Sequence, residues 1–238
     1  MLNRQEFTEA ARASGVSQGA VDEILRCLRP CLVINKDKVG EPVGRWEGQY
    51  EMSVVLDCAA LPSRHLDLGL GLPENGSLLV PAEGSPQWAP DAHEPREGEA
   101  SGELHCYAAW TRAEWWSHSA DSGHPAETHP ALEEAMTEYR RCHGPMELLD
   151  DDYIPSDGSL QLGGSLLRAP QDPPELALVD LGEDWNWDFD DEVLRKLSVW
   201  RLFAQMHHDS GIESFWLIHR NDTAVERYSE VVWMEQAD

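Results

Sequence analysis

Residues that could do chemistry gather in three stretches. At 207–209 stand His207, His208 and Asp209. Two imidazoles and a carboxylate are the donor types of a zinc site or of an acid–base site. At 184–190 the run DWNWDFD sets Asp184, Asn186, Asp188 and Asp190 at alternate positions, as at the start of a calcium loop. At 115–130 an irregular stretch carries His118, His124 and His129.

Each stretch meets a physical objection. The sixth position of the calcium-like run is Phe189 rather than Gly, and the twelfth is Arg195 rather than Glu. The sharp turn and the bidentate ligand are therefore missing. The better reading is an interaction patch: Trp185, Trp187 and Phe189 fill a partner's pockets while Asp184, Asp188 and Asp190 meet its basic groups. The simpler reading has these aromatics folded onto the core. The histidines of HPAETH lack the HExxH spacing that puts two imidazoles on one helical face, and read as loop histidines. His207 and His208 end a strand-like run, WRLFAQMHH. Alternation puts Trp200, Leu202, Ala204, Met206 and His208 on one face and Arg201, Phe203, Gln205 and His207 on the other. A pair on opposite faces does not chelate one ion. No phosphate loop or nucleophile elbow occurs, so no motif points to a catalytic set, a metal or a cofactor.

Composition narrows the function classes. The chain has 238 residues, with 44 acidic and 18 basic side chains and a formal charge of -26. Such a surface repels phosphate backbones and speeds encounter with a basic protein. The reading is no nucleic-acid partner, no membrane partner, and a protein partner that is basic. The five cysteines are odd in number and form no CxxC, which fits a reducing compartment. The N-terminus has no apolar signal core, and no apolar run is long enough for a membrane span, so a cytoplasmic protein is expected. Nothing in the sequence speaks to oligomeric state.

These residues need elements to position them. A first helix over 3–13 ends at Ser14-Gly15. A second begins at an N-cap, Ser17, and buries Val21, Ile24, Leu25 and Leu28. Strands are expected at 31–35, 50–57, 77–80, 104–110, 200–208, 211–220 and 230–234, with a helix over 131–141. The stretch 39–49 reads as a Gly/Pro loop and 81–102 as a mobile surface loop. The parts recur in order. YEMSVVLD followed by a turn at Asn75-Gly76 and SLLV parallels WRLFAQMH followed by a turn near Gly211 and SFWLI. The alignment sets Gln205 over Val55, Met206 over Leu56 and His207 over Asp57. A cluster of Asp57, Gln205 and His207 at the interface of two repeats is the alternative site, with a register-pinning polar cluster as its plainer reading.

YEMSVVLDCAALP with GLPENGSLLV, and LGGSLL with WRLFAQMHHD and SFWLIHRNDTAVERYSEVVWMEQ, resemble the glycine turns and strands of the YwqG-like family of bacterial proteins. The likeness covers most of the chain outside about 81–146. It implies an α+β fold: internally duplicated, mostly antiparallel sheet units with an N-terminal helical pair. The whole is then one domain, 1–238, with helices over 1–30, repeat one over about 31–146 and repeat two over about 147–238. The family's Gln-Ile-Asp is Val55-Leu56-Asp57 in one copy and Gln205-Met206-His207 in the other, so each copy keeps one of the two polar positions. Some members look like products of toxin–immunity neighbourhoods, which implies a binding role. The expected function is a non-catalytic, acidic immunity- or inhibitor-type protein; the alternative is an enzyme or small-molecule binder, with or without a metal, built on Asp57, Gln205 and His207.

Overall fold

Apolar residues at helical spacing open the chain, and period-two runs follow. The computed structural model describes residues 4–48, 53–61, 68–91, 101–112, 130–146, 148–149, 158–165, 199–207, 212–222 and 225–237. Within them are three helices, α1 (Arg4–Ala13), α2 (Gln18–Cys27) and α3 (Pro130–Cys142). The Ser17 hydroxyl caps α2 by accepting from the Ala20 amide at 3.3 Å. Val21 and Ile24 of α2, Leu132, Ala135, Met136 and Tyr139 of α3, and Phe7 and Ala11 of α1 bury one another around Leu28 and Trp110. Phe7 stacks on Tyr139 with ring centroids 5.4 Å apart.

The rest is mostly sheet. In chain order the strands are β1 (Leu28–Asn35), β2 (Glu41–Glu47), β3 (Ser53–Asp57), β4 (Ser77–Val80), β5 (Gln87–Ala89), β6 (Ser101–Arg112), β7 (Leu148–Leu149), β8 (Leu160–Gly163), β9 (Trp200–His207), β10 (Ile212–His219) and β11 (Val232–Ala237). They form one sheet in the order β11-β10-β9-β8-β1-β6-β2-β3-β4-β5, with β7 added beside β6. All pairs are antiparallel except β6 with β7. The sheet curls into a half-barrel. Its concave face holds one core in which Val54, Leu56 and Leu78 from one end meet Phe203, Met206, Trp216 and Ile218 from the other. Each fully buried Leu or Ile there contributes about 1.5–3 kcal/mol.

Side chains of the second half clasp the loops of the first. Trp216 Nε1 donates to Gly84 O at 2.7 Å, Tyr228 Oη to Gly71 O at 3.2 Å, and Arg201 to Gly69 O at 3.4 Å. Ser85 Oγ donates back to Val231 O at 3.0 Å. The stretch from 81 to 91, expected to be loose, is thus a strap with a short strand, because its Gly84 carbonyl accepts from Trp216 and its Ser85 hydroxyl donates to Val231 across the curl.

Two other expectations change. The Gly/Pro stretch 39–49 contains β2, with a bulge between Pro42 and Gly44. Gly44 lets the strands pass: a Cβ there would meet Val55 O at 2.1 Å. The strict alternation of β9 also fails. Ala204 pairs with Trp216 and Leu202 with Leu217, so Phe203 is the extra residue of a bulge. Phe203 therefore joins Ala204 and Met206 in the concave core, while Leu202 packs with Leu217 and Trp200 on the convex face.

Candidate functional site

Strand β9 presents Gln205 and His207 on the convex face, opposite Ala204 and Met206. His207 lies directly across from Glu213 of β10, and Gln205 across from Phe215. Glu213 is only 5% exposed and Gln205 4%. Gln205 Nε2 donates to Glu213 Oε2 at 2.9 Å, which orients the carboxylate. Its other oxygen, Oε1, lies 3.5 Å from His207 Nδ1. That is too long for a good hydrogen bond, and Nδ1 has no hydrogen-bond partner. A carboxylate held beside an imidazole is the orienting half of an acid–base site.

On β8, Gln161 lies across from Gln205 and is itself buried. Its Nε2 donates to Gly163 O and Ser165 O, both at 2.8 Å, and Thr111 Oγ1 accepts from the Ser165 amide at 2.8 Å. These bonds brace the turn after β8, where Gly164 has φ +80° and a Cβ would meet Cys31 Cβ at 2.8 Å. Gln161 thus serves the turn, with its amide directed along β8 away from His207.

The structure brings Gln205 and His207 together, but through Glu213 rather than Asp57. Asp57 is exposed at the end of β3, where its Oδ1 accepts from the Ala59 amide at 2.9 Å. Strands β8, β1, β6 and β2 lie between β3 and β9, so at about 4.8 Å per step the two positions stand about 24 Å apart measured along the sheet. Glu213 escaped the sequence reading, although the signal was there: it alternates with Phe215 and Leu217, and an acid on an apolar face is a buried acid. The patch Asp184, Trp185, Trp187, Asp188, Phe189 and Asp190 lies outside the described residues, as do His208 and Asp209.

Among the described residues, no three of His, Cys, Asp and Glu converge on a common point. All five cysteines are free thiols. Burial pushes Cys27 and Cys58 up to about 11 and Cys106 up to about 12, and raises Cys31 further. They are protonated at neutral pH and poor nucleophiles. No described helix is long and apolar enough to cross a membrane. Compared with protein-family models and with curated proteins, the chain gives no match.

Proposed function

We propose that this chain acts by binding, as an acidic immunity- or inhibitor-type protein that covers a basic protein partner in the cytoplasm. The observation that carries this reading is the formal charge of -26 on 238 residues. More than half of the acidic side chains, and most of the excess negative charge, fall in sequence outside the described strands and helices, chiefly over 147–157 and 166–198. The patch Asp184 to Asp190 lies in the second of these runs and supplies aromatic anchors among the acids. The free thiols support a reducing compartment. The YwqG-like resemblance supports a binding role and an internally duplicated sheet.

The test is affinity capture on the purified chain, with the captured protein identified and its affinity measured against salt. A partner rich in Lys and Arg, bound at least tenfold more weakly at high salt and weakened again by Trp185→Ala with Trp187→Ala, is the expected result. A partner that is not basic, or a grip indifferent to salt, overturns the reading.

One observation favours a second reading, a small-molecule or enzymatic site: His207 Nδ1 is buried without a hydrogen-bond partner beside the Glu213 carboxylate. Bound small-molecule density against His207 in a crystal, lost in His207→Ala, would establish it. A site filled by the protein's own side chains would remove it.

A further inference from the structure

Among the described residues, the buried side-chain atoms without a hydrogen-bond partner include His207 Nδ1. A buried polar atom in that state calls for a ligand or an explanation. In front of it stands a carboxylate oxygen, Glu213 Oε1, at 3.5 Å. The two residues face each other directly across the β9–β10 ladder, so the backbone sets their separation. Gln205, two residues before His207 on the same face, donates to the other oxygen, Oε2, at 2.9 Å. A hydrogen bond to the outer oxygen of a carboxylate is what orients such groups at metal centres.

The width of the gap selects what fits it. A water or an ammonium bonded to both atoms at about 2.9 Å would be squeezed to an angle of about 74° between its two partners, far from its tetrahedral directions. A zinc ion bonded at about 2.05 Å to nitrogen and about 2.1 Å to oxygen would see the same two atoms about 115° apart, within a few degrees of tetrahedral. The donors agree with the geometry. An imidazole nitrogen with a single carboxylate oxygen suits zinc and its first-row neighbours, whereas calcium and magnesium take shells of oxygen.

Access and charge agree as well. His207 is the last residue of β9, and its side chain keeps 13% of its surface exposed, so an ion has an entry at the end of the hairpin. The formal charge of -26 raises the local concentration of cations. No third His, Cys, Asp or Glu joins the pair among the described residues. Two positions of a tetrahedral shell are then left to water or to a substrate.

We propose that His207 Nδ1 and Glu213 Oε1 together bind a divalent first-row transition ion, with zinc as the type case. The inference rests on the second reading above, that of a small-molecule or enzymatic site, and names the ligand class of that site. It replaces Asp57 by Glu213 as the carboxylate partner of His207.

Calorimetric titration of the full chain with Zn2+ is the solution test. One equivalent that binds more tightly than the rest is expected, and His207→Ala and Glu213→Gln should each weaken it at least tenfold. Ions held loosely by the acidic surface are indifferent to both changes, so an unchanged titration in the variants overturns the proposal. A crystal of the unaltered chain soaked in Zn2+ needs no variant to fold. Anomalous density bonded to both Nδ1 and Oε1 supports the proposal; zinc only elsewhere, or nowhere, overturns it. An organic molecule against His207 with no metal overturns the metal and keeps the small-molecule reading. One of the protein's own side chains in the gap overturns both.

Discussion

The two flanks of the sheet share a strand plan and differ on their convex faces. On the β2–β4 flank, Val55 is flanked by Arg45, ion-paired to Glu47 at 2.6 Å, and by an exposed Asp57. On the β8–β10 flank, Gln205 is flanked by Gln161 of β8 and by His207 two residues along β9, with Glu213 buried beside them. The first arrangement leaves Asp57 in water, where it costs little. Both flanks bury a carboxylate, at a cost in lost hydration: Glu47 pairs with the Arg45 guanidinium, whereas Glu213 accepts from the neutral amide of Gln205 and lies beside the His207 ring. A buried acid retained at that cost is where function or register is to be sought.

Substitutions can break this contrast. The largest effect is expected from Trp216→Ala, which empties a fully buried site and removes the donor to Gly84 O; a loss of about 3–5 kcal/mol in urea unfolding is expected. Trp216→Phe isolates much of the packing from the hydrogen bond and should lose less. Next comes Glu213→Leu. It leaves the buried amide of Gln205 without this acceptor and should cost about 1–3 kcal/mol. On the other flank Ser77→Ala, at the residue across from Asp57, should cost about 0.5–1.5 kcal/mol or less. Equal losses at the two positions would erase the distinction between the flanks.

The thiols sharpen the comparison by pH. Cys58 and Cys106 have folded pKa values of about 11 and about 12, raised from 9.0 by burial. The native state therefore holds its protons where the unfolded chain releases them. The stabilisation is complete below about pH 9 and is lost as pH rises through the folded values. Unfolding midpoints should fall from about pH 9 upward, and replacing Cys106 by Ala should flatten part of that fall. The smallest effect concerns labelling. Cys142, half-buried on α3, should react with an alkylating reagent in the native protein, while Cys31, Cys58 and Cys106 wait for unfolding. Prompt labelling of Cys58 would mean that the clasp opens readily.

Much of the scaffold was legible. The helix beginning at Ser17, the buried face of α3, and strands β4, β9 and β10 follow from capping and periodicity, which act over a few residues. What escaped depended on neighbours distant in sequence. Gly44 and Pro42 look like loop residues until β3 and β6 flank them. Residues 81–91 look loose until Trp216 and Ser85 bond across the seam. The bulge at Phe203 is invisible to a period-two reading because only the register of β10 against β9 reveals it.

The sequence by itself determined the charge, the local elements and which strand faces are apolar, because these are properties of residues and their near neighbours. It could place Gln205 and His207 on one face for the same reason. Only the tertiary structure decided that Glu213, and not Asp57, stands beside them. Strand pairing between β9 and β10 brings the first into contact, and the four strands between β9 and β3 keep the second away.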